Sequence, residues 1–446
     1  MTTQTALAAL QLMQTRFAVV DLQGNIMIVD LQRVQQVQAG APYTEVYFYE
    51  RSDAEILMRR LVEAAGYGPW VRTLMSDFLT DNGTRFFDQI AFTPAKLGPN
   101  VLNLWIGPTI QATAGRFDLI EEFLFDVICD GNLADYNYLI SFLAHALQMP
   151  QEKPGVMPIL IGGQGTGKGT LLRLISKIWG RTALQVADVD QVIGRFNAAI
   201  ERNFIILMDE ALFKGDNKSL ERLKSMITEP VIGIEQKMQP SRTITSVHRF
   251  IAVTNHEKFA RVDRDDRRFV FFRVSDCRQG DHAYFERLHA EIEAGAAVSA
   301  FAHHLQQLDL SRFNVRIRPK TTEHANQKIQ SLEGFDRFWF EALYTGSLQG
   351  GRQIIGKEEW LAGDFISTVD LLEHYKTFNK NSERYAPMQS RELKSRLEQL
   401  CKSVCPARGS GALSKTVRGY KLPSLSQARA EFETFLGGSV PDGWPD

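Results

Sequence analysis

Apolar and polar positions along this chain change their period several times, and the changes divide it into regions. Residues 17–20 and 26–29 flank Gly24-Asn25, a turn-forming pair, which predicts a β-hairpin. Residues 53–65 carry apolar side chains at helical spacing and residues 101–105 read as a further strand, so 1–115 is expected to be an α+β accessory region. Leu119, Phe123, Leu124 and Val127 make one helical stripe, and Leu139, Phe142, Leu143 and Leu147 make another. They predict a collar-like helical segment over 116–150, closed by Pro150 and Pro154. From Val156 to about residue 275 short apolar runs alternate with helical patterns, as in an α/β fold with a parallel sheet. A helical stretch over 281–307 completes a core spanning 151–310. The remainder, 311–446, opens with a polar, basic stretch at 311–330 that reads as a linker or lid, then continues mainly helical.

Composition narrows the class. The 446 residues are 44% hydrophobic and 23% charged with a formal net charge of -1, which fits a soluble, multidomain globular protein. A whole-molecule basic field is absent, so any nucleic-acid contact must be local. No run of 18 apolar residues and no secretory leader is present, and the expected location is the cytoplasm of a bacterial host, without membrane contact. Cys129, Cys277, Cys401 and Cys405 are scattered, and Cys401 and Cys405 lack the second pair or histidine that a zinc site needs.

Chemistry concentrates in the α/β stretch. An apolar run at 156–161 leads into Gly162-Gly163-Gln164-Gly165-Thr166-Gly167-Lys168-Gly169-Thr170, and a helical pattern follows at once. This strand, glycine loop and helix is the context of a phosphate-binding Walker A loop, in which backbone N–H groups cradle phosphate oxygens and Lys168 reaches the β- and γ-phosphates of ATP. The hydroxyl residue that usually follows the lysine is replaced by Gly169, leaving Thr170 as the nearest candidate for Mg²⁺ or phosphate. A second apolar run, 203–208, ends in Asp209-Glu210. About forty residues after a phosphate loop this is a Walker B pattern, with Asp209 in the Mg²⁺ shell and Glu210 polarising the attacking water. A third run, 250–253, ends in Thr254-Asn255, which puts an amide where it can orient that water.

Lys168, Asp209-Glu210 and Asn255, at three strand ends within about a hundred residues, resemble the superfamily 3 helicases, especially the phage and plasmid primase–helicase branch. The resemblance implies a P-loop, AAA+-like core, a homo-hexameric ring, 3′ to 5′ movement on single-stranded and forked DNA, and a separate primase or polymerase partner. It also implies a channel hairpin, matched here by 231–245 with Lys237 and Met238 near the tip and Arg242 as a further DNA contact. The family's arginine finger precedes an apolar strand, so Arg268 before Phe269 matches best, with Arg267 as substitute; a pair of surface arginines neutralising Asp265 and Asp266 is the plainer alternative.

Residues 360–425 resemble a closing winged-helix-like module, with helices expected at 368–375 and 390–401 and a wing strand at 415–422. Between Arg391 and Lys421 eight Lys or Arg stand against two Glu, which points to Arg391, Lys394 and Arg418 as contacts to duplex DNA. Asp21 and Asp30 are expected to be turn residues, and the first 115 residues are too short for a primase domain. Two other functions fit parts of the pattern: a DNA-binding initiator whose ATP site drives assembly alone, and a small-molecule kinase suggested by Gly-Lys-Gly-Thr.

Overall fold

In a computed structural model of the protein, five mid-chain strands lie parallel in the order Phe269–Arg273, Met157–Ile161, Arg249–Thr254, Ile205–Met208 and Ala183–Val186. The structure describes residues 3–22, 24–41, 44–68, 71–210, 217–235, 242–256, 266–319, 321–348, 355, 360–379, 388–410, 416–441 and 443–445. Counted along the chain the strand order is 5-1-4-3-2, so the strand that ends before Asn255 lies between those that end before the glycine loop and before Asp209.

These strands read as unbroken apolar runs because both faces of the sheet are covered. Leu160, Leu207, Ile251, Val253 and Phe272 pack with the helices Leu133–Gln148, Lys168–Trp179, His282–Ala294 and Ala296–Gln307. Alternate residues, among them Ile159, Ile206, Phe250 and Phe271, pack with Leu223 and Ile227 of the helix Asn217–Thr228 and with Ile232 and Ile234. The last two belong to the strand Val231–Ile234, paired antiparallel with Arg242–Thr245 as the sequence predicts. The hairpin tip, including Lys237 and Met238, lies outside the described residues, as does the side chain of Arg242.

The 116–150 segment is not continuous helix. An α-helical Asp118–Glu122 passes into a π-helical Phe123–Ile128, and the chain breaks at Asp130 and Gly131, both with positive φ. Asn132 then caps Leu133–Gln148 by accepting from the amides of Ala134 and Asp135.

In the accessory region the expected hairpin pairs Phe17–Leu22 with Asn25–Asp30, with Gly24 at φ 87° in its turn. Asp30 is buried; it caps the helix Leu31–Gln38 and pairs with Arg16 at 3.0 Å, a structural role. Trp105 docks the region on the core, its ring 5.0 Å from that of Phe204.

The stretch 311–330 is no free linker. It contains the helix Thr322–Gln330, Arg318 donates to the Phe269 carbonyl at 2.9 Å, and Arg273 meets Glu323 at 3.6 Å. Beyond it the chain is less helical than the pattern suggested. Helix Gly334–Thr345 leads to strand Phe365–Ser367, helices Thr368–Phe378 and Ser390–Leu400, the hairpin Cys405–Ser410 with Thr416–Lys421, and helix Leu425–Leu436. The three strands form one antiparallel sheet, and Phe335, Trp339, Leu393, Leu397 and Phe432 build a core separate from that of the central α/β unit.

Candidate functional site

Because the central strands are parallel, their carboxyl ends open on one edge, where a crevice between strand ends is the usual binding place in such sheets. Thr254 pairs with Ile161, and Ala252 pairs with Met208. The glycine loop, Asp209-Glu210 and Asn255 therefore arrive side by side. The glycine loop, Asp209 and Asn255 line a cleft of about 410 Å³ whose wall includes Gln164, Gly165 and Lys168.

The glycines are there for space and for backbone conformation. A Cβ on Gly162 would stand 3.0 Å from the Val274 side chain and 3.1 Å from its carbonyl oxygen. Gly167 has φ 98° and would place a Cβ 2.9 Å from the Phe285 ring and 3.0 Å from Phe123, on the π-helical segment. The loop thus turns tightly into the amino end of Lys168–Trp179, where the helix dipole favours an anion. Lys168 is buried and folds back on its loop, donating from Nζ to the carbonyls of Gly162 at 2.7 Å and Gly163 at 2.5 Å. Burial lowers its pKa, opposed by the charges of Asp209 and Glu210. A polyphosphate entering the cleft would offer that ammonium a stronger acceptor than two carbonyls.

Glu210 sits at φ 55°, a left-handed conformation shared among the described non-glycine residues by Asp130 alone. Such strain in a charged residue at a strand end is costly and concentrates at working sites. Its carboxylate accepts from Asn255 Nδ2 at 3.4 Å. Asp209 is fixed by its amide, which donates to Val186 O at 2.8 Å, and by Gln185 Nε2 at 3.1 Å from its carboxylate. Carboxylate oxygens facing a phosphate loop are a donor set that suits Mg²⁺, which needs one or two carboxylates with waters and phosphate rather than a full protein cage. Among the described residues no group of three or more His, Cys, Asp or Glu is gathered into such a cage.

Gly169 faces open space, since a Cβ there would meet nothing within 4 Å. The Thr170 hydroxyl lies 2.9 Å from His289 Nε2. His289, Phe285 and Arg173 also line the cleft, and nothing in the sequence pattern marks them. Phe285 and His289 lie over a hundred residues from the loop, on a helix that local pattern marks only as a helix; nothing short of the packing of two helices could have found them.

The other anticipated residues do not meet at this cleft. Arg268 precedes Phe269, which pairs with Met157 at the opposite, amino edge. A five-residue strand separates the edges by roughly 16 Å, more than a side chain spans. There the Arg268 amide donates to Asp266 at 2.8 Å, and its guanidinium lies 4.0 Å from the same buried carboxylate, which also meets Lys224 at 3.3 Å. Arg267 is exposed.

In the C-terminal unit Arg391, Lys394 and Arg418 are all exposed. Lys394 pairs with Glu398 at 3.7 Å, and Arg396 is taken up by Asp336, so the helix Ser390–Leu400 offers less free positive charge than its composition suggests. Arg418 lies directly across the hairpin from Arg408, a like-charge pairing that costs stability unless an anion joins it.

Comparison with known proteins gives limited but consistent relationships. A family model described as a family of unknown function (DUF5906) matches residues 160–268, from the end of the loop strand to Arg268. The DNA primase-polymerase of Nitratiruptor phage NrS-1 is 27% identical over 229 residues, 47% of this chain. The match covers 31% of that protein, so the stretch aligned with it spans under a third of its length. An apo structure of the NrS-1 C-terminal region superposes with a TM-score of 0.66 at 16% identity, covering 95% of this chain and 100% of that one. An A-form apo structure of the same region gives 0.66 at 17% identity, covering 92% and 98%. Over nearly its whole length, then, this chain is similar in fold to the C-terminal region of NrS-1.

Proposed function

We propose that this chain is an ATP-hydrolysing motor of the superfamily 3 type that acts on DNA in the replication of a phage or related element. The observation that carries the proposal is the convergence of Lys168, Asp209 and Asn255 on one cleft at adjacent strand ends, with strained Glu210 hydrogen-bonded to Asn255 beside them. Phosphoryl transfer needs positioning and charge neutralisation more than covalent help. Lys168 leaves its loop carbonyls to face the β- and γ-phosphates. Glu210, held by Asn255, takes the position that orients and polarises a water. A bound Mg²⁺ would supply neutralisation of phosphate charge, with Asp209 and Thr170 as the chain's ligands to it.

Ring assembly is supported by the place of Arg268. Because it lies at the amino edge, it cannot serve its own cleft, and a neighbouring subunit's cleft is the one a finger there would complete. A homo-hexamer moving 3′ to 5′ follows from the family resemblance. DNA engagement is supported by the similarity to a phage primase-polymerase, by the paired strands Val231–Ile234 and Arg242–Thr245, and by the helix, strand, two helices and hairpin of the C-terminal unit, an order that fits a winged helix. A separate primase or polymerase is the natural partner of such a motor. A small-molecule kinase leaves the hairpin, Arg268 and the basic C-terminal face without a role.

The test is strand displacement on a forked duplex with ATP and Mg²⁺, with Lys168→Ala as control. Displacement by the native chain alone, lost in Lys168→Ala, is the expected result. ATPase activity that DNA stimulates without displacement would favour an initiator, and turnover that needs a phosphate-accepting metabolite would favour a kinase.

A further inference from the structure

The groups just assigned all serve the phosphate end of a nucleotide, yet the cleft continues past Thr170 between two helices. Resting on the nucleotide reading, we infer that the helix His282–Ala294 is the nucleoside wall of the cleft, with Phe285 carrying the base and His289 aligning the wall with the phosphate loop. The wall runs along the loop helix contact by contact. Phe285 abuts Gly167, His289 meets Thr170 at 2.9 Å, and Glu293 meets Arg173 and Lys177 at 2.7 and 3.0 Å.

The sequence of the wall helix explains its direction. Asp281 caps it by accepting from the Tyr284 amide, while Tyr284, Leu288 and Ile292 are buried and fix its rotation. Phe285 and His289, one turn apart, then share the neighbouring face and are only partly buried, as cleft-lining rings must be. Phe285 is braced by Tyr284, with ring centres 5.3 Å apart at 84°. A braced aromatic face beside a phosphate loop is suited to stacking on a base, an interaction open to any base because each has a π-face. Arg173 does not act there as a loose phosphate cation, because Glu293 accepts from its Nε at 2.8 Å. The volume, about 410 Å³, lies in the range of sites that enclose a small organic ligand.

Calorimetric titration of the full chain with ATP and, separately, with inorganic tripolyphosphate, both with Mg²⁺, separates the two ends of the cleft. Phe285→Ala is expected to weaken ATP about tenfold and to leave tripolyphosphate within about twofold. His289→Ala should weaken ATP about threefold with the same selectivity. Equal weakening of both ligands would mean that Phe285 only props the loop at Gly167, and would overturn the inference. Unchanged ATP affinity in both variants would overturn it too. Phe285→Leu, which keeps volume but not the π-face, should follow Phe285→Ala; wild-type ATP affinity in that variant counts against stacking. A native chain that binds neither ligand sinks the nucleotide reading itself, whereas Lys168→Ala losing both ligands beside a native chain that binds both keeps that reading standing.

Discussion

At the amino edge of the central sheet Arg249 is fully buried, and its guanidinium donates to His145 Nδ1 at 2.9 Å, to the carbonyls of His145, Met149 and Val247, and lies over the Phe204 ring. At the carboxyl edge Lys168 is also buried, but its partners are the carbonyls and the Thr166 hydroxyl of its own loop. The first cation is locked between elements distant in sequence; the second is parked where an incoming anion can take it over. Neighbouring groups repeat the contrast. Near Arg249, Lys153 donates to Glu229 O and Ser246, Ser246 meets His248 Nδ1 at 2.9 Å, and His248 Nε2 donates to Ile200 O at 3.0 Å. At the other edge Glu210 holds a left-handed backbone and accepts a long hydrogen bond from Asn255. One edge spends its polar groups on the fold, and the other keeps them strained and available.

The difference can be broken at either edge. Glu210→Gln should lower ATP turnover about a thousandfold while leaving nucleotide affinity close to native, because it removes the base and keeps the volume. Turnover within a few fold of native would remove Glu210 from the chemistry. Arg249→Ala should cost about 3 kcal/mol in urea unfolding, since buried carbonyls and a buried imidazole lose their donor together. A loss below about 1 kcal/mol would show the amino-edge network to be dispensable.

Acid should act on the same edge. Burial, joined for His145 by the Arg249 charge and for His248 by Lys153, holds both imidazoles down at about 4, below the ordinary 6.5. An unfolded chain therefore takes up protons that the folded chain refuses. Stability is full above pH 6.5 and falls as the pH drops toward 4, by about 1.4 kcal/mol per pH unit for each histidine. His248→Gln should flatten that slope in unfolding midpoints taken between pH 7 and 5, and an unaltered slope would exclude His248 from it. The smallest effect sharpens the contrast most. Glu210→Gly should stabilise the fold by about 1 kcal/mol by releasing the positive φ, while turnover is lost. A destabilised Glu210→Gly would mean that the strain is not paid at this residue.

Much of the carboxyl edge was legible in the sequence because its chemistry is local. A glycine loop after an apolar run, two acids after another and an amide after a third each sit at a strand end, and a parallel sheet brings strand ends together whatever the loops do between them. The hairpin 231–245 and the helices near 368 and 390 were legible for the same reason, since alternation and helical spacing are properties of short segments. The wing strand expected at 415–422 is present as Thr416–Lys421, whereas the helix break at Asp130-Gly131 and the strands Phe365–Ser367 and Cys405–Ser410 were obscured where short apolar runs fit either period.

The sequence by itself determined where a tight glycine loop would form and where strands would end, because backbone freedom at glycine and the alternation of apolar positions act over a few residues. Only the tertiary structure decided the rest. The order 5-1-4-3-2 placed Asn255 beside Glu210, and the packing of His282–Ala294 along Lys168–Trp179 brought Phe285 and His289 to the cleft. The direction of Phe269–Arg273 carried Arg268 to the far edge. Burial made Arg249 the centre of a core network. Each of these depends on contacts between segments tens to hundreds of residues apart, and a local pattern carries no information about which distant surface will cover it.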